Sequence, residues 1–352
     1  MKLLYVLLIG ALLPVGLVLY IGSYCIEQLL GDIAQDDAVL HAETVSCELN
    51  AELFDRTVIW KLYGASLFVQ DELAKANQEP QQPLGEDAAG DSSPTGEFPA
   101  NPAEEQSIQE ALTTELSQDL SEQVRAVNLL HDHLVFGEVL ITDRRGALVA
   151  ANNKTSDYWQ NDETWWQQAV DKGIYISDKH YDESAAMESI AICLRIDDQA
   201  GEMAGVLKAI LDIQDIDSII RGLPTARITQ GDRKTWLLTK GGVVLGAANT
   251  GGPPYHNVCD RLRVVEDAEQ RGLRAVLWTE SEKSPVKLIS FARPVKFGDM
   301  SNPNWMLLVE CNPQAVPASL PQFHYALKFI GLVGVIGSGA ATYFLSRRFK
   351  VA

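Results

Sequence analysis

The sequence predicts an α+β fold: a long N-terminal helix, then two tandem units built on antiparallel sheets, flanked by two transmembrane helices. Three observations carry this. Uncharged apolar runs stand near both ends of the chain. Residues of about 33–75 keep apolar side chains at three- and four-residue steps (Leu49, Leu53, Ile59, Leu62, Leu67, Leu73), the helical period. After residue 135 the pattern becomes strand-like, and it does so twice, at an offset of about 97 residues.

From Leu3 to Ile26 no side chain is charged, and about 20 apolar residues suffice to cross roughly 30 Å of hydrocarbon. A cleaved leader would have a shorter apolar region, about 7–15 residues, and a small-x-small site. Tyr24 before Cys25 also spoils a lipoprotein-type site. An uncleaved anchor within residues 1–29 is expected. The second segment, about Tyr325–Leu345, carries one charge, Lys328. Its Gly334, Ser338 and Ala341 fall on one helical face, as in packed membrane-helix pairs. Arg347, Arg348 and Lys350 follow the second segment, whereas Asp32, Asp36 and Asp37 follow the first. Basic flanks stay cytoplasmic, so both termini are expected inside and residues 30–324 outside. A short cytoplasmic tail, 346–352, with no kinase, methyl-accepting or cyclase module is expected.

The 352 residues include 29 Lys+Arg and 47 Asp+Glu, for a net charge of −18. Such a balance excludes a phosphate-tracking nucleic-acid binder, which needs a basic footprint. Two-thirds of the excess, −12, falls between Asp71 and Glu122. The centre of this stretch, about 78–102, is rich in Pro, Gly, Gln, Ser and Asp. It cannot bury enough apolar surface to offset the entropy of ordering it, and a disordered acidic loop is expected there, within a helical region 30–135. A second helix, about Ala103–Leu134, is predicted from the stripe Ile108, Leu112, Leu116, Leu120, Val124 and Val127.

Val139–Asn153 reads as two short strands joined by a turn at Asp143–Gly146. Aligned with Trp236–Thr250 at an offset of 97, it shares six of fifteen residues. Ile190–Ile196 and Leu288–Pro294 align at an offset of 98, placing Arg195 opposite Arg293. Each is followed by another apolar strand, Ala204–Leu211 or Trp305–Val309. Repetition at this period implies two copies of one unit of roughly 100 residues, over 136–222 and 223–320.

Five cysteines (Cys25, Cys47, Cys193, Cys259, Cys311) show no CxxC or Cys/His metal spacing, although an oxidising exterior would allow a Cys259–Cys311 bridge. His131 and His133 straddle Asp132, but alternate positions diverge on a helix, so no metal site is expected. Gly241-Gly242 reads as a hairpin turn and Gly251–Pro254 as a loop, leaving no phosphate-cradling glycine motif. No nucleophile–base signature is present. The sequence predicts a protein that is not an enzyme and needs no cofactor.

This plan of a membrane-proximal helix, two tandem hairpin–helix–sheet units and a return helix resembles the double Cache sensor domain. That domain is the extracytoplasmic ligand-binding part of many bacterial chemoreceptors and sensor histidine kinases. The resemblance covers about residues 33–320. It implies PAS-like antiparallel-sheet units, a bacterial inner-membrane location, a homodimer, contact with membrane lipid, and a small-molecule ligand in the membrane-distal unit, about 136–222. It also implies a signal passed through the membrane helices, here to a partner protein. A tethered solute-binding or scaffold protein without a signalling role, or a truncated receptor, is the alternative.

The amino-acid-binding branch of the family carries Tyr-x4-Arg-x-Trp-Tyr, then a downstream Tyr and an Asp closing the last strand. This sequence has Tyr158-x4-Glu163-x-Trp165-Trp166, then Tyr181, and Asp212. Where the family's Arg would grip a carboxylate through a bidentate pair, Glu163 would repel one. With Asp182 or Glu183, with Asp212, and with the aromatic faces of Tyr158, Trp165, Trp166 and Tyr181, the set suits an amine or another cation. Alternatives stand beside each reading. Trp165 and Trp166 also read as core, Asp182 as a turn cap, and Glu163 as the ion-pair partner of Arg195. Arg195 also reads as a relocated carboxylate grip, which would admit an acidic ligand.

Overall fold

The computed structural model describes residues 2–78, 102–222, 233–250, 258–294 and 304–312, with isolated positions at 329, 336, 343 and 347. Helix α1 (Lys2–Gly64) opens the chain, and α2 (Leu67–Gln78) follows after a break at Ala65-Ser66. The single helix expected over 33–75 is therefore two. Ser66 Oγ accepts from the Val69 amide at 3.4 Å, ending one helix and starting the next. The helix expected over 103–134 is likewise divided into α3 (Pro102–Leu112) and α4 (Glu115–Leu130). Thr114 Oγ1 accepts from Ser117 N at 3.1 Å, an N-cap that satisfies a donor the new helix leaves open. The division splits the apolar stripe. Ile108 packs in one core cluster, while Leu116, Leu120, Val124 and Val127 join another.

The acidic stretch 79–101 lies outside the described residues. Among the described residues no helix is long and apolar enough to cross a membrane. Most side chains of the Leu3–Ile26 run, and nearly all of 325–345, lie outside that set.

The first sheet unit contains β1 (Phe136–Asp143), β2 (Leu148–Ala151), α5 (Thr164–Lys172), β3 (Ile174–Ile176), β4 (His180–Asp182), β5 (Met187–Asp197) and β6 (Met203–Asp212). Helix α6 (Ile213–Gly222) connects it to β7 (Lys234–Leu238), β8 (Val244–Ala248), α7 (Val258–Gln270), β9 (Ala275–Trp278), β10 (Lys287–Ala292) and β11 (Met306–Cys311). The strand orders are β2-β1-β6-β5-β3, with β4 on β5, and β8-β7-β11-β10-β9. Strand for strand these are the same connectivity, antiparallel throughout. Both hairpins also carry a register shift, at Ile141/Thr142 and Leu237/Leu238, within one residue of each other at the repeat offset.

Local chemistry fixes the first hairpin. Asp143 Oδ1 accepts from the amides of Arg145 (2.8 Å) and Ala147 (3.0 Å), and Gly146 takes φ +93°, where a side chain is strained. Gly205 permits a close approach of β6 to β1, since a Cβ there would overlap the Thr142 carbonyl.

The first sheet is covered on both faces. Leu207, Ala209 and Leu211 of β6 join the cluster holding Leu49, Leu53 and Trp60 of α1, while Val206 and Ile210 join the cluster with Trp165 and Ala169 of α5. Helix α1 also reaches the second sheet, where Ala38 packs with Ala275, Leu288 and Cys311. Ion pairs reinforce this seam: Arg56 Nε lies 3.1 Å from Asp215 Oδ2 on α6, and Arg233 pairs with Asp37. Cys193 and Cys311 are buried free thiols, and the Cys259 side chain lies outside the described residues.

Candidate functional site

A cavity of about 380 Å³ opens in the first sheet unit, on the face of β5 and β6 covered by α5 and the β3–β4 segment. Small-solute sites commonly fall in this size range. Its walls come from three places. The start of α5 supplies Glu163 and Trp165; β4 and the loop after it supply His180, Tyr181, Asp182 and Ser184; the floor is Ala191 of β5 and Lys208 of β6.

Glu163 is the N-cap residue of α5, yet its side chain makes no capping bond, leaving the carboxylate for the cavity mouth. Partial burial, then neighbouring Asp162, raise its pKa, with Lys208 opposing. Two residues on, Trp165 is buried against the sheet. Asp182 is buried with Oδ1 filled, accepting from Ser184 Oγ at 2.7 Å and Ala185 N at 2.9 Å. Its Oδ2 faces Lys208 Nζ at 3.6 Å and His180 Nε2 at 3.8 Å. Burial pushes the Asp182 carboxyl up, but the bonds and charges from His180, Lys208, Ser184 and the Ala185 amide outweigh it and hold it below the ordinary range. The same contact with Asp182 raises the His180 pKa against its own desolvation.

Lys208 completes the lining, Glu138 is buried behind it on the same sheet, and neither stands out in the sequence. Lys208 is 13% exposed, and its Nζ sits 5.2 Å from the Trp165 ring centroid, close enough for a cation–π contact. Its approach to Asp182 is longer than a hydrogen bond. The register pairs Lys208 with Leu140 and Ile210 with Glu138, which puts Glu138 and Lys208 on the same face of the sheet. Glu138 is fully buried, and neither carboxylate oxygen has a hydrogen-bond partner. Desolvation pushes its pKa up to about 7, with Lys208 pulling the other way.

Of the eight residues singled out from sequence, the cavity gathers Glu163, Trp165, Tyr181 and Asp182. Tyr181 stands at the mouth, 57% exposed. The other four lie outside its lining. Tyr158 packs edge-on against Trp159, with centroids 5.5 Å apart, and its amide donates to Glu104 Oε1 at 3.0 Å. Trp166 packs against the same sheet face, farther along it toward β1, and donates from Nε1 to Thr142 Oγ1 at 2.9 Å. Arg195 does not pair with Glu163, because Asp197 on its own strand lies closer: Nε donates to Asp197 Oδ1 at 2.6 Å and Nη1 to the Val170 carbonyl at 3.4 Å. Asp212 ends β6, and its Oδ1 accepts from Gln214 N at 2.9 Å, starting α6.

No protein-family model matches the chain, and no curated protein matches it. Solved structures similar to it include the ligand-binding domain of the Campylobacter jejuni chemoreceptor Tlp3 in complex with 4-methylisoleucine. That domain is 12% identical, over 80% of this chain and 92% of that one, with a TM-score of 0.49. Another is the ligand-binding domain of the Pseudomonas fluorescens chemoreceptor CtaA in complex with L-alanine. It is 11% identical over 78% and 95% of the two chains, with a TM-score of 0.44.

Proposed function

We propose that this chain is an extracytoplasmic sensor of the double Cache kind, anchored in the bacterial inner membrane, acting as a homodimer and not as an enzyme. A small solute bearing a positively charged group binds in the cavity of the first sheet unit. The supporting observation is the convergence of Glu163, Asp182, Trp165 and Tyr181 on one cavity. Its acids, Glu163, Asp182 and Glu183, outnumber its one lysine, and an aromatic face contributes ~0.5–2 kcal/mol toward a cation.

The fold also supplies a route outward. Strand β6, which carries Lys208, ends at Asp212, and α6 begins at Ile213. One turn into α6, Asp215 holds Arg56 of α1, and Asp217 accepts from the Ala247 amide of the second sheet at 2.9 Å. A solute with unequal affinity for two arrangements of β6 biases α1 and the second sheet together, and the membrane helices pass the shift to a signalling partner.

Calorimetry of the purified chain in detergent against ethanolamine, putrescine and choline tests the ligand class. At least one is expected to bind, and Glu163→Gln to weaken it by about tenfold, the size of one lost charge-assisted contact. Binding that is indifferent to both Glu163→Gln and Asp182→Asn would refute the reading.

A further inference from the structure

We propose that Lys208 is the anchor for an anionic oxygen of the bound solute, and that Glu138 beside it takes up a proton from solvent as that oxygen arrives. The inference rests on the reading of the cavity as a solute site and adds a second recognition element to it: the ligand is bipolar, cationic toward Glu163 and anionic toward Lys208.

Lys208 is the starting point. A buried ammonium has three donors to satisfy, and leaving a buried charge without hydrogen bonds is costly. Here the side chain is 13% exposed, its contact with Asp182 stands off at 3.6 Å, and around it stand the Trp165 face, Glu138, His180 and the cavity itself. Asp182 cannot swing fully toward it, because Ser184 Oγ and the Ala185 amide hold Oδ1. An oxygen entering the cavity meets donors that the protein leaves open.

Glu138 is the second, independent observation. It is completely buried on the same sheet face, with both oxygens unpartnered. The groups acting on it are Lys208 from β6, Asp182 from β4 and Ser184 from the loop after β4. Of these Lys208 is the cation, with Ser184 assisting, and an anion bound to Lys208 competes for the same positive charge. A carboxyl already poised near neutrality then accepts a proton onto one of its oxygens. The sign follows. The anion raises the Glu138 pKa above its free value, so affinity is highest below that value and declines as pH rises above it, by up to about tenfold per unit, until the bound-state pKa is passed.

Thermal-shift and calorimetric titration of the chain in detergent use three probe groups: propionate and methylphosphonate; taurine, β-alanine and phosphoethanolamine; and the simple amines named above. At least one anion-bearing compound is expected to bind. Lys208→Met should weaken it about 10- to 100-fold, the range for a lost charged hydrogen bond, while Lys208→Arg retains part of the affinity. Should Lys208→Met fail to fold, Lys208→Gln, which keeps a donor but no charge, replaces it with the same expectation. Glu138→Gln, which mimics the protonated carboxyl, should hold the affinity at its low-pH level and so flatten the pH dependence between 6 and 8. It should also abolish the proton uptake seen as a buffer-dependent heat at pH 7. If only amines bind, or anions bind equally to the Lys208 variants, Lys208 is no anchor and the sensor reading survives. If nothing in any group binds, both readings fall. If the Glu138→Gln profile matches the parent, the proton linkage is overturned.

Discussion

Replacing Asp215 by Asn isolates the clamp between α6 and α1. The Asp215 carboxylate accepts from Arg56 Nε at 3.1 Å, from Arg56 Nη2 at 3.3 Å and meets His133 Nε2 at 2.8 Å. The two ion-pair side chains are 5% and 1% exposed, so water cannot take over. Breaking a buried pair from one side costs about 3–5 kcal/mol, because the remaining charge is stranded. Arg56 keeps a bond to Glu52 Oε2 at 2.7 Å, and the amide oxygen still accepts, so the low end, about 3 kcal/mol, is expected. For a folded part of this size that lowers Tm by about 6–12 °C. Thermal and urea unfolding at pH 7 read it, and a cycle with Arg56→Met gives the coupling. A loss under about 1 kcal/mol, or additive single and double variants, would refute the clamp, since contacting buried charges couple by 0.5–3 kcal/mol.

Glu138→Gln should stabilise the unliganded protein at pH 8. Free glutamate ionises near 4.5, whereas burial pushes Glu138 up to about 7. Stability is therefore full at low pH, falls as pH rises through that window, and stays lower by about 3 kcal/mol above it. Unfolding at pH 4 and pH 8 should show the gain only at pH 8. Trp166→Phe should cost about 1 kcal/mol through the lost bond to Thr142 and leave solute affinity unchanged, as titration will show. Gly205→Ala forces β6 off the Thr142 carbonyl and should cost at least about 2 kcal/mol in urea unfolding.

The repeat, the hairpins and the change of period near residue 135 were legible because strands of one unit recur in the other with near-constant spacing. The helix breaks were not. Thr113-Thr114 keeps the apolar stripe in phase, and only the Thr114 cap, a local bond to Ser117, shows that the chain stops and restarts. At the site, Glu163, Trp165, Tyr181 and Asp182 were visible as a spaced set of chemically apt side chains. Trp166 and Trp165 are neighbours that both meet the sheet, and sequence alone does not say which one lines the cavity. Lys208 was missed for a different reason. A single lysine in Gly205–Leu211 looks like an outward-facing residue of an alternating strand. Yet Val206 and Ile210 on its face are as apolar as Leu207, Ala209 and Leu211 on the other. A strand apolar on both faces is covered on both, so a lysine within it has to be buried, and a buried lysine needs a partner. The same signal applies to Glu138 ahead of Val139-Leu140-Ile141.

Helix α1 is held to the two sheet units at points nineteen residues apart, Asp37 with Arg233 and Arg56 with Asp215. That separation is about 28 Å of rise and a little over five turns. The helix thus acts as a ruler with a fixed phase. Adding or deleting one residue between the grips would turn one of them by about 100° relative to the other and leave a buried charge facing the wrong way. Substitutions in this stretch are constrained by packing and by local ion pairs such as Glu52 with Arg56, but its length is constrained by helical pitch. The cavity, whose walls are the start of α5 and the β4 loop, carries no such restriction there, and those walls are free to change their chemistry without disturbing the rod that reports on it.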